Sequence, residues 1–527
     1  MRRMMRACGF HCGLCLLIIS GCISEEKQAE STNEITFAPF EVPESAPWPE
    51  ADEPVERYIA RWNAWVDSIP KDQRVGHAVE RANDRLVEKL NQIPDTNEGF
   101  DSWSALDLAR LGFLWEEARG VYESIAPELD LMQELTKRDA VAIRLDVDLY
   151  DDEGNHFIVY TSSVRPAAAA LRGRIRYLVL ADRAKETVED VRAMIDSHRL
   201  MMESPMLTGW LSRIAVQSVV GSVIKQTLAV DPDAYTDDQL AEFQEHLISG
   251  LNQDMTPIVN AEEYFEILQL RDLYSESVDG DLSEESTQLV LEEYARATVF
   301  QQTLGMPLFL ESETVNKITT IEFAPLDQQI NILKEYNGAL IADFMAYPPT
   351  VQRSHVKQFL DDLQTNRDAV SFVPALMYKQ MSEILAGIYV LHEVEVRSAI
   401  VVLAIHRHRL ATGDWPESLE DISFEHIRVD PVDLHTDEVF NYAIIEGNPL
   451  LWSGGPDRDN DGGFSAVPFM ETITSLPDEE YSTNPVHSWF TLDEWETLSN
   501  DEQAKYDGDW ILFPPADSDR WGNEQGY

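Results

Sequence analysis

The chain has 527 residues, with 94 acidic and 41 basic side chains, a formal charge of −53, and 44% hydrophobic and 9% aromatic residues. That apolar content excludes wholesale disorder, and the length predicts several domains. The charge argues against nucleic acid as a partner, because phosphate binding needs a cationic stripe and no such stripe appears in the sequence; it argues equally against an interfacial helix held by anionic lipids.

The N-terminus carries Arg2, Arg3 and Arg6, then an apolar stretch through Leu14, Leu16, Leu17, Ile18 and Ile19, then Ser20, Gly21 and Cys22. A basic start, a short apolar run and small residues before a cut are the parts of a secretory signal. The run is too short to cross ~30 Å of hydrocarbon. Ile19-Ser20-Gly21-Cys22 resembles a bacterial lipobox, which implies removal of residues 1–21 and acylation of Cys22. The alternatives are an ordinary secretory signal and a metal site from Cys8, Cys12, Cys15 and Cys22. After cleavage the charge becomes 38 − 94 = −56, and Cys22 is the one remaining cysteine, which excludes disulfides and cysteine nucleophiles. Later apolar runs, such as Ile384–Leu391 and Ala399–Ile405, are too short to span a bilayer.

Residues 22–50, with Pro39, Pro43, Pro47 and Pro49 among Ser, Thr and Asn, read as a polar tether. Residues 51–395 read as a helical domain. Asp52-Glu53-Pro54 opens a helix on which Tyr58, Trp62 and Trp65 recur at spacings of four and three. Periodicity predicts further helices over 73–92, 102–125, 166–184, 187–202, 206–229, 237–250, 260–276, 284–304, 326–346, 350–363 and 374–412. One interruption alternates like a strand, with Val141, Ile143, Leu145, Val147 and Leu149 on one face. The turn residues Asp151–Asn155 follow, so a β-hairpin is expected near 141–161. After Gly413 the composition shifts toward Pro, Gly, Asp and Trp, and short strands are expected at Phe440–Ile445 and Leu450–Ser453. The expected fold is therefore predominantly α, a multi-helical body with an inserted β-hairpin, followed by a small α+β module over 396–527.

The series Ala399–Arg409, Gly413–Leu419, Asp430-Pro431, Phe440-Asn441-Tyr442 and Trp452–Asp457 resembles the soluble domain of type II secretion major pseudopilins. That resemblance covers about 125 residues and implies a helix leading into a small antiparallel sheet with a calcium loop. Pseudopilins polymerise through an apolar N-terminal helix. Here a lipobox stands at that end, and the related helix carries Arg397, His406, Arg407, His408 and Arg409, which argues against a filament subunit. The whole chain also resembles a family of secreted planctomycete-type lipoproteins with no established activity, on Leu171–Ala181, Pro205–Leu228 and the tail Asp509–Pro515.

The best chemical signal is Asp457-Arg458-Asp459-Asn460-Asp461-Gly462-Gly463. Acids at positions 1, 3 and 5 with Gly at 6 match the first half of an EF-hand loop, so Asp457, Asp459 and Asp461 are candidate Ca²⁺ ligands. Position 12 is Pro468 where an EF-hand has Glu, so other oxygens, such as Glu471, would complete the shell. An acidic surface turn is the alternative. His392-Glu393 opens like a zincin helix, but the second His is replaced by Val396, and His406 and His408 do not share a helix face. No nucleophile elbow or phosphate-binding glycine loop is present. Trp62, Trp65 and the C-terminal tryptophans are expected to pack rather than bind sugars. The expected function is a membrane-anchored extracytoplasmic bacterial lipoprotein, acting as a non-enzymatic scaffold with an envelope protein partner and a calcium-stabilised module. The alternative is an envelope hydrolase using a carboxylate pair in a helical cleft.

Overall fold

A computed structural model of the chain describes residues 47–50, 53–92, 115–138, 142–145, 168, 170–201, 207–249, 251, 256–275, 282–283, 286–288, 290, 323–345, 354–366, 369–372, 382–445, 447–455 and 510–513. Helix dominates them. Helix α1 (Val55–Ser68) starts after Pro54, whose fixed φ suits a helix entrance. Its buried Tyr58, Ile59, Trp62 and Val66 form one stripe. Helices α2 (Gly76–Gln92) and α3 (Trp115–Thr136) pack together.

Helix α3 runs eleven residues past the expected end at 125, straight through Pro127. A proline inside a helix loses a hydrogen bond and costs about 3 kcal/mol. Ile125, Leu129, Met132 and Leu135 are all buried on one face, and each buried side chain contributes about 1.5–3 kcal/mol, so burial outweighs the proline.

Residues 170–180 form α4, followed by α5 (Val188–Met201), α6 (Leu207–Val230), α7 (Asp237–Ser249), α8 (Thr256–Leu273), α9 (Leu326–Met345), α10 (Ser354–Asn366) and α11 (Ser382–Thr412). Apolar residues surround α6 on all sides and fill α11 from Ala399 to Ile405, a pattern that requires burial from every direction. The two helices cross closely: a Cβ on Gly221 would stand 3.1 Å from the Ala399 Cβ. Helices α5 and α7 pack against this pair.

The main core joins α2 through α7 to α11 and to the C-terminal strands, from Val75 to Phe513. A second core gathers Trp210 and Ile214 of α6 with α8, α9 and α10. A third seats α1 on Tyr264 and Phe265 of α8.

The described part of the expected hairpin, 142–145, is not a sheet strand. Ile143 and Leu145 are buried and Arg144 is exposed, so the alternation holds from 143 to 145, but Ala142, expected on the opposite face, is also buried and stands at φ +49°. Side chains of α1 take the place of a ladder. Trp62 Nε1 donates to the Ile143 carbonyl at 2.7 Å, and Asn63 bonds both the N–H and the carbonyl of Leu145 at 2.9 and 2.8 Å. The remainder of 141–161 lies outside the described residues.

Helix α11 runs unbroken across residues 395 and 396 and stops at Gly413, whose φ of +89° makes a left-handed cap with its N–H on the Arg409 carbonyl. Strands β1 (Val432–Asp433) and β2 (Glu438–Val439) form a minimal hairpin. Strands β3 (Asn441–Ile445) and β4 (Asn448–Ser453) pair antiparallel as the sequence predicts, with Gly447 at φ +85° in the turn. A strand that no local pattern predicts, β5 (Trp510–Phe513), adds antiparallel to β4, giving the order β3-β4-β5.

Candidate functional site

Cys22, Asp457, Asp459 and Asp461 all lie outside the described residues, as do Gly462 and Glu471. The approach to the acidic loop is described, and a buried carboxylate organises it. Asp433 Oδ1 accepts the His435 N–H at 3.0 Å, and Oδ2 accepts the Gly454 N–H at 3.0 Å and the Thr436 hydroxyl at 3.4 Å. Gly455 N–H then bonds the Ser453 hydroxyl at 3.1 Å. Asp433 thus ties the β1–β2 hairpin to the end of β4, two residues before Pro456-Asp457. In the sequence it looks like any other acid in a chain with 94 of them. Among the described residues no three metal-ligating side chains converge.

The zincin-like start is occupied by structural contacts. His392 Nδ1 sits 3.0 Å from the Ser218 hydroxyl of α6, and Glu393 pairs with Arg397 one turn on at 3.2 Å, both buried. His406 is buried while His408 is half-buried, as their spacing on α11 predicts. The His406 ring meets Trp415 and Phe513 nearly edge-on, with centroids 5.0 and 5.6 Å apart. Trp62 is buried beside Trp65 at 5.1 Å, so these rings pack.

Buried carboxylates of the body are likewise engaged. Arg61 grips Glu53 with two bonds of 2.8 and 2.9 Å, which holds that carboxyl below its usual range. Burial raises the Asp190 carboxyl, against the opposing pull of Arg174, which bonds it through Nε at 2.9 Å. Lys225, buried on α6, reaches Glu395 at 2.9 Å and the Ser398 hydroxyl at 3.1 Å on α11. Gln244 of α7 donates to the Ile400 carbonyl at 3.2 Å and the His426 carbonyl at 2.6 Å. These contacts lock α6, α7 and α11 in register.

One polar cluster is not closed in this way. His198 (α5), Arg213 (α6), His246 (α7) and His392 (α11) come from four helices, and the Arg213 charge bears on His198 and His392. The His198 and His246 rings stand edge-on at 4.9 Å. Both nitrogens of His198, Nε2 of His392 and Nε of Arg213 are sealed from solvent without a hydrogen-bond partner. Burial, followed by His246, Arg213 and His392, drives the His198 pKa far below the ordinary histidine range. Burial, then Arg213, holds His392 down to about 3. Desolvation lowers Arg213 to about 10, which leaves it cationic at neutral pH. Among the described residues no carboxylate pairs with it. Positions 198, 213, 246 and 392 form no local pattern, so no sequence signal announces the cluster.

Comparison of the chain with protein-family models, curated proteins and solved structures returns no match.

Proposed function

We propose that the chain is a lipid-anchored, extracytoplasmic envelope protein that works as a non-enzymatic scaffold, binding an envelope protein through its C-terminal module. Exposed apolar side chains support this reading. Among the described residues Phe424 (78% exposed), Val439, Ile444, Ile445 and Leu410 all lie beyond residue 409, against Leu131 in the body. Ile444 and Ile445 sit on β3, an outer strand of the described sheet, and an apolar outer strand is a template for a second chain. The lipobox-like Ile19–Cys22 supports the anchor, and the pseudopilin-like series with Asp457, Asp459 and Asp461 supports a structural Ca²⁺ in the module.

The test is affinity capture from intact envelopes with wild type and with Phe424→Ser/Ile445→Lys, which alters only exposed positions. A partner captured by wild type and lost with the variant supports the reading; an identical captured set overturns it. For the anchor, wild type should fractionate with membranes and Cys22→Ser should be released. Turnover of an envelope ester, peptide or glycan that one carboxylate substitution abolishes would instead establish the hydrolase.

A further inference from the structure

We propose that the crossing of α5, α6, α7 and α11 is a binding site for a small oxyanion, with the Arg213 guanidinium as its counter-charge and His198 and His392 as hydrogen-bond donors. A buried guanidinium is stable only with compensating charge, because leaving an ion in low dielectric unpaired is strongly destabilising. Arg174 and Arg397, also largely buried, each hold a carboxylate. Arg213 retains only 7% of its solvent exposure and has no such partner among the described residues. Among the described residues its surroundings supply donors and no acid that acts on its charge.

The histidines point to the same ligand class. In the tautomer in which the Ser218 hydroxyl donates to Nδ1 of His392, the ring proton is on the unpartnered Nε2 and can be given to a ligand. His198 is 1% exposed and offers one N–H whichever tautomer it adopts. Three histidines alone would suggest a transition metal, but the Arg213 charge repels a cation and the rings do not converge in ligating geometry. A carboxylate, phosphate or sulfate takes a charged fork from arginine and N–H bonds from imidazole, which is what the cluster presents. The net charge of −53 repels anions from the molecule as a whole, so specificity for an anion here must be local.

The experiment titrates the full chain with sodium phosphate, sulfate or acetate against NaCl at matched ionic strength, reading melting temperature and heat of binding at pH 7. Saturable, anion-specific stabilisation in wild type is expected, and the preferred salt separates a tetrahedral oxyanion from a carboxylate. Arg213→Met should weaken apparent affinity by roughly tenfold or more, the loss of one charge-assisted contact. It should leave intact the non-saturating stabilisation that sulfate gives any protein. Equal, non-saturating shifts in wild type and Arg213→Met would overturn the proposal. So would Zn²⁺ binding that His198→Ala abolishes. If Arg213→Met does not fold, calorimetry on wild type decides alone: saturable heat with millimolar phosphate, sulfate or acetate supports the site, and its absence with all three overturns it.

Discussion

Replacing His406 by Phe isolates the energetic consequence of a neutral histidine in the core. The ring is 1% exposed, packs edge-on against Trp415 and Phe513, and makes no hydrogen bond of normal geometry. Burial lowers its pKa to about 3; the nearby Pro232 carbonyl slightly favours the charged ring, and Arg409 disfavours it. The unfolded chain holds the same imidazole near 6.5. The unfolded state therefore takes up a proton that the folded state refuses, and stability falls as pH drops below 6.5. Between pH 7 and pH 5 that difference amounts to about 2 kcal/mol. Relief of carboxylate repulsion acts in the opposite direction, but most carboxylates stay ionised at pH 5, and the effect is common to both proteins. His198 and His392 add losses of the same sign to both. Phe is similar in shape and apolar, so at pH 7 the variant should lie within about 1.5 kcal/mol of wild type. Urea unfolding followed by circular dichroism at pH 7 and pH 5 should then show wild type losing about 2 kcal/mol more than His406→Phe. Parallel pH profiles would refute a neutral, pH-sensitive His406.

Other perturbations test the remaining contacts. Glu395→Ala strands the buried Lys225 ammonium and should cost roughly 3 kcal/mol in denaturant unfolding, whereas Lys225→Met/Glu395→Leu should recover most of it. Gly221→Leu drives a side chain into Ala399, whose Cβ lies only 3.1 Å from where the first added carbon would stand, and should lower stability by about 1–3 kcal/mol, visible as a reduced urea midpoint. Millimolar Ca²⁺ should raise the melting temperature beyond NaCl of matched ionic strength, by up to ~2.7 kcal/mol of stabilisation at a hundredfold excess over Kd. Asp459→Ala should remove that specific part; equal shifts in both proteins would identify the loop as an ordinary acidic turn.

Long, periodic segments are legible from residue order alone. Helices α5, α7 and α9 begin and end within about two residues of the expected positions because each carries its own apolar pattern and stop signals, and α6 does so as a continuous apolar run ended by Asp231-Pro232. Pro127 misleads because a local breaker says nothing of what Leu129, Met132 and Leu135 pack on. Strand β5 is four residues long and is defined by β4, more than fifty positions earlier, so no window of sequence contains its cause. At 142–145 the alternation correctly places Ile143 and Leu145 inside, while the identity of the hydrogen-bond partner depends on Trp62 and Asn63. The Arg213 cluster is invisible for the same reason: four helices must assemble before its charge and donors meet.

The continuity of the main core from Val75 to Phe513 has a consequence for how the chain acquires its structure. Helix α11 is buried by α6 and α7, which precede it, and by β5, which follows it. A chain emerging N-terminus first can form α2–α7 early, yet their central groove has no filling until residues near 400 arrive, and no lid until β5 does. Contacts of such high sequence separation form slowly, and the exposed apolar groove is vulnerable to aggregation meanwhile. Synthesis halted before residue 510 would leave helix α11 without the cover that β5 supplies.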